Sequence, residues 1–135
     1  MNPNWSENYE VGNHEIDHHH KELFQLTSLL DLAIQTNDAT YLDKIISFLE
    51  HYVVDHFQEE ETLMKKHNFK GLDFHQQEHQ QFRENVNTLR KHFDQMVSKT
   101  HIIFSIRRVM DDLICHIISV DSQIKSLEVN HEEGA

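Results

Sequence analysis

Histidine and carboxylate recur at helical spacing from His56 to His79, in the stretch HFQEEETLMKKHNFKGLDFHQQEH. His56 with Glu60, and His75 with His79, stand four positions apart. Four residues of an α-helix advance about 400°, so each pair shares one face. The break between the pairs, 68–73, contains Gly71, which predicts two consecutive antiparallel helices with the pairs facing each other. Such a set suits metal: neutral imidazole binds iron, copper, zinc or nickel, and carboxylate oxygens bridge two hard ions.

The elements that position these ligands follow from the rest of the chain. Its 135 residues predict a single domain, 1–135, and its three glycines and one proline predict long helices. Residues 1–15, with Pro3, Trp5 and Gly12, lack a helical period and read as an extended arm whose Trp5 or Tyr9 packs on the remainder. From Ile16 the stripe Ile16, His20, Leu23, Thr27, Leu30, Ile34 predicts a first helix, with Asp17 as first-turn acid or cap. TNDAT at 36–40 breaks it. Leu42, Ile45, Leu49, Tyr52, His56, Glu60 and Leu63 stripe a second helix that ends near Lys65 and Lys66. Asp73 is placed to cap a third, striped by His75, His79, Phe82, Val86, Leu89, Phe93 and Met96. After a loop at 98–100, a fourth carries Ile103, Ile106, Val109 or Met110, Leu113, His116 and Val120. The helical part runs from about 16 to 127, and the tail 128–135 has too little apolar surface to hold itself down.

Short connections between helices of this length predict an all-α fold, an up-down-up-down antiparallel four-helix bundle behind the N-terminal arm. In that topology His20, His56 with Glu60, His75 with His79, and His116 come to one end, in a layer about two turns deep. With a second carboxylate the ligands number about seven, whereas a lone zinc takes four. The count favours a dinuclear centre bridged by Glu60 and by a carboxylate near His116. Asp121 is the best candidate, although five residues advance about 500° and need a π-type widening or a helix end to turn it inward. Asp112, four before His116, is its rival.

Other readings are weaker. HQQEH has the H-x-x-E-H form of a zinc-protease class, with Glu78 as general base, but leaves the other ligands unexplained. A ferritin-like site needs two Glu-x-x-His pairs, and only Glu15 to His18 fits. His14, His18, His19, His51, His67, His92, His101 and His131 lie off the stripes or in loops and ends and read as solvated or core-satisfied side chains, with His18 and His19 open to adventitious metal. Cys115 lies about 100° round the helix from His116 and reads as packing. Twenty-three acidic against twelve basic residues, a formal charge of −11, argue against nucleic acid and anionic membrane surfaces. The single cysteine and an N-terminus without a basic and apolar leader predict a cytoplasmic protein. No run approaches the roughly 20 apolar residues of a membrane span.

Taken together, Trp5, VGNHEIDHHHKELF at 11–24, HFQEEETLM at 56–64, HQQEH at 75–79 and HIISVD at 116–121 resemble the hemerythrin family in its bacterial single-domain form. The resemblance implies a non-haem di-iron centre that binds O2 reversibly. One iron would take His75, His79 and His116, the other His20 and His56, with Glu60, Asp121 and an oxo or hydroxo group bridging. Dioxygen would bind at the open position of the two-histidine iron. Leu113 matches the family's pocket leucine, and Leu23, Phe24 and Ile117 would extend the wall. The implied role is O2 storage, delivery or buffering rather than catalysis, and the lack of a signalling domain favours it. The alternatives are an O2 or redox sensor acting through a partner, or a di-iron oxidase that consumes peroxide or nitric oxide. Two positions depart from the family: Asp112 replaces a common tryptophan, and His19 a usual glutamine. A carboxylate at 112 is expected to admit water to the pocket and hasten autoxidation.

Overall fold

The computed structural model describes Trp5, Tyr9, residues 11–36 and residues 38–119. Its regular elements are helices, with no strand among the described residues: α1 (His14–Thr36), α2 (39–66), α3 (Leu72–Asp94) and α4 (Lys99–Ser119). Within α2, α-helical Ala39–His51 and Phe57–Lys66 flank a π-helical stretch, Tyr52–His56, with right-handed backbone at both joins.

Local chemistry sets the helix ends. Asn13 Oδ1 accepts the Ile16 N–H at 3.1 Å and caps α1. The Asp17 carboxylate accepts the Val11 and Gly12 N–H groups at 2.8 and 3.3 Å, tying the arm to the first turn it also stabilises. Asp38 caps α2 through the Thr40 N–H. Asp73 is not the cap of α3: Gly71 occupies that position, and Asp73 lies in the first turn. Two left-handed residues, Asn68 (φ 53°) and Met96 (φ 58°), close α2 and α3. Each sits in a Schellman turn, completed by Phe69 N–H to Met64 O at 2.9 Å and Val97 N–H to His92 O at 3.1 Å. The turn at Met96 explains a departure from the stripe, since that side chain is 89% exposed. At the end of α1, Ala33 is buried in place of Ile34.

Each helix packs mainly on two neighbours: α1 and α3 each lie against both α2 and α4. The cross-contacts run in opposite senses. His20, early in α1, meets His56 of α2 with ring centroids 4.7 Å apart. Arg83 of α3 reaches Glu61 of α2, whereas Arg90 reaches back to Glu50 and Asp43. Between α3 and α4, Glu78 contacts His116 and His92 faces His101. This is the expected four-helix bundle.

The main core is built from Leu23, Leu30, Ile45, Leu49, Val86, Ile106, Met110 and Leu113 among others. A smaller cluster, Val11, Ile16 and Met64 with Leu63, Phe69 and Leu72 against it, closes the opposite side of the ligand layer. Two apolar plugs therefore bracket the layer and limit water on both sides. Of the arm, Tyr9 stacks on Phe24 (centroids 5.7 Å apart) and Trp5 meets Phe24 edge-on at 5.5 Å. No helix among the described residues is long and apolar enough to cross a membrane. Asp121, the bundle's expected extension to 127 and the tail 128–135 lie outside the described residues.

Candidate metal centre

Six of the seven expected ligands, His20, His56, Glu60, His75, His79 and His116, are buried in one layer. Two groups have their donor atoms within 4.8 Å of one another: His75 with His79 and His116, and His20 with His56 and Glu60. Glu60 spans them. Its Oε1 lies 3.2 Å from His56 Nε2 and 3.7 Å from His79 Nε2, while Oε2 lies 3.7 Å from His20 Nε2. Neither Glu60 oxygen nor His56 Nε2 makes a hydrogen bond, although all three atoms are buried. A desolvated carboxylate in that state costs several kcal/mol, and a cation in each group would supply the missing contacts. The donor set therefore fits metal. Burial pushes the Glu60 carboxyl up, but the His56 and His20 imidazoles outweigh it and hold the group well below the usual carboxylate range.

Outward-facing nitrogens are held by a second ring of side chains. His79 Nδ1 lies 2.9 Å from Glu61 Oε2, His116 Nδ1 lies 3.3 Å from Glu78 Oε1, and His56 Nδ1 lies 3.1 Å from His19 Nδ1. Each contact fixes a ring orientation that turns Nε2 inward, as ligating histidines require. Aromatic faces add to this: Phe57 stacks on His79 with centroids 3.8 Å apart and planes 6° from parallel, and Tyr52 stacks on His56 at 4.5 Å. Arg83 joins the two helices. Its Nη2 donates to Glu61 Oε2 at 3.1 Å and its Nε to the Val53 carbonyl at 2.9 Å, inside the π-helical stretch. Burial pushes the Glu61 carboxyl up, and the His79 and Arg83 contacts outweigh it, leaving it below the usual range.

The structure revises several expectations. The helix widens at Tyr52–His56, ending on the first residue of a ligand pair, and α4 is regular through His116 to Ser119, so the irregularity expected between His116 and Asp121 lies partly outside the described residues. Asp112 is exposed on α4, in an outer groove against α3 lined by Asn85, His92, Phe104 and Arg108. It is therefore neither a bridging carboxylate nor part of the apolar wall, because its side chain leaves the helix on the solvent side. Leu23, Phe24, Leu113 and Ile117 are all buried in the main core beside the layer. Cys115 is exposed, not packed.

Of the histidines outside the expected ligand set, His14, His18, His51 and His101 are exposed and His67 and His92 half-buried outside the layer, whereas His131 lies outside the described residues. His19 is half-buried and joins His56 and Glu59 in a third donor group. His19, Glu61, Glu78 and Arg83 escaped the periodicity argument because it counts only side chains in line with the stripe, and these flank it. The available signal was adjacency, since His19 and Glu61 each neighbour an in-line ligand, His20 or Glu60, about 100° round its helix.

Residues 11–127 match the family described as the Hemerythrin HHE cation binding domain. A hemerythrin-like protein of Naegleria gruberi is 37% identical over 79 residues, covering 58% of this chain and 61% of that protein. A bacteriohemerythrin of Pseudomonas paraeruginosa is 29% identical over 89 residues, 66% of this chain and 58% of that one. A myohemerythrin of Sipunculus nudus aligns more widely, 26% identical over 121 residues, 90% of this chain and 89% of its own. The match to the Naegleria relative thus spans about three fifths of that protein. No solved structure matches the chain. With a family match over most of its length and the buried histidine and glutamate groups at one end of a four-helix bundle, the chain belongs to the hemerythrin family.

Proposed function

We propose that this chain binds dioxygen reversibly at a non-haem di-iron centre, for storage, delivery or buffering of O2. The observation that carries the reading is the position of Glu60, buried between a three-histidine group and a two-histidine group with one carboxylate in contact with both. His75, His79 and His116 would hold one iron, His20 and His56 the other, and Glu60 would lie across the pair with Asp121 as the second carboxylate. When bound, such a pair supplies two electrons to dioxygen and takes them back on release.

The chain's own contribution is placement and dryness. Glu61, Glu78 and His19 hold three imidazoles by their outer nitrogens, so that the inner nitrogens need not reorganise when a ligand arrives. The unequal groups, three imidazoles against two, leave one side less fully ligated and favour it as the gas-binding side. Leu23, Phe24, Leu113 and Ile117 would form an apolar wall that keeps water from the layer. Binding rather than turnover is the consequence of a closed, apolar surround.

The test exposes reduced, iron-loaded protein to O2 and follows its absorption through cycles of deoxygenation. About two irons per chain and a charge-transfer spectrum that appears and disappears reversibly support the reading. One-way conversion to the ferric form overturns reversible binding, and a chain that holds one zinc and no iron overturns the centre itself.

A further inference from the structure

Beyond that centre, we infer that His19, Glu59 and the outer nitrogen of His56 form a separate site for a third divalent transition-metal ion. His19 Nδ1 lies 3.1 Å from His56 Nδ1 and 3.3 Å from Glu59 Oε2, and all three donor atoms lie within 4.8 Å of one another. An ion with tetrahedral bonds of 2.0–2.1 Å sets its ligand atoms about 3.3–3.4 Å apart. The observed separations are close to that spacing. Glu59 Oε2 is buried and makes no hydrogen bond, although its residue is partly exposed, so the acceptor faces the cluster rather than water.

Access and charge favour a cation. A cavity of about 180 Å³ between α1 and α2 is lined by His19, Glu22, His51, Asp55 and His56. A second, wider groove shares His19 and Asp55 with it and is lined by Glu15 and Glu59 as well. Two imidazole nitrogens and a carboxylate select a borderline ion such as Zn²⁺, Co²⁺ or Cu²⁺ over Ca²⁺ or Mg²⁺. The inner face of the His56 ring, through Nε2, meets Glu60 at 3.2 Å. One imidazole therefore links the outer ion to the inner layer, and the proton of the outer nitrogen leaves to water when the ion binds.

The experiment titrates iron-loaded protein with Co²⁺, removes unbound metal and counts cobalt and iron per chain. The parent is expected to retain one cobalt that His19→Gln and Glu59→Gln each lose, with the iron content of Glu59→Gln the same as the parent's. His18→Gln, which alters the exposed neighbour paired with Glu22, is expected to keep the cobalt. The difference of one ion between the parent and Glu59→Gln reads the outer site whatever fills the inner one, so it stands apart from the test of O2 binding. Equal cobalt in the parent and both site variants, or loss in His18→Gln, overturns the site. Cobalt bound without any shift of the iron absorption bands overturns the shared imidazole.

Discussion

Removing the Arg83 guanidinium should weaken metal binding at a group it never touches. Arg83→Ala deletes a donor to the Val53 carbonyl and a partner of Glu61, the carboxylate that holds His79 Nδ1. The carbonyl contact is worth about 1–1.5 kcal/mol. The ion pair, with Arg83 29% exposed, is discounted for solvent screening to about 1 kcal/mol. Metal-free protein should therefore lose about 2 kcal/mol in urea unfolding. With Glu61 released, His79 should lose its fixed orientation, and metal affinity measured by chelator competition should fall about 10–100-fold. Arg90 supplies the control: it binds Glu50, Asp43 and Ser47 through a comparable set of contacts far from the layer. Arg90→Ala should lose similar stability and retain metal affinity. Equal loss of affinity in both variants, or none in Arg83→Ala, refutes transmission through Glu61.

His56→Ala or Glu60→Ala should lower iron occupancy, whereas His51→Ala, whose side chain is 83% exposed, should not; metal analysis after desalting decides it, and equal losses would contradict the assigned faces. Leu113→Ala opens the buried wall, with an expected loss of about 2–5 kcal/mol and faster oxidation of the oxygenated form. Asp112→Trp changes a groove on the far side of α4 and should leave that rate unaltered, so a slowed rate would show that position 112 does govern water entry. Hydrogen bonds from Thr40 hold the Asp38 carboxyl below its ordinary 3.8. A depressed folded value means stabilisation present above 3.8 and lost as pH falls through the lower, folded one. The parent's advantage in thermal midpoint over Asp38→Asn should therefore shrink on acidification through that window, and a constant difference would mean that the charge is not what caps α2.

The ligand layer was legible because each of its residues lies on an apolar stripe and because short loops dictate which helix ends meet. His20, His56, Glu60, His75, His79 and His116 share one stripe per helix, and antiparallel neighbours bring those parts together. Periodicity carries no such information about contacts made sideways. Glu59, Glu60 and Glu61 are three identical side chains in a row, yet one faces the inner layer, one meets His19 and one holds His79. Only their neighbours on α1 and α3 distinguish them.

The π-helical stretch failed to announce itself for the same reason. Leu42, Ile45, Leu49, Tyr52, His56 and Glu60 read as an ordinary α stripe, and nothing in YVVDH marks a wider turn. What accompanies it is a side chain 30 positions away, Arg83, which donates to a carbonyl within the stretch. Such widenings concentrate at functional sites because they spend regular hydrogen bonding to aim a side chain. Here the stretch ends on His56, whose ring must present one nitrogen to Glu60 and the other to His19. The irregularity at Tyr52–His56 belongs where one imidazole serves two clusters, whereas the widening or helix end expected between His116 and Asp121 falls partly outside the described residues.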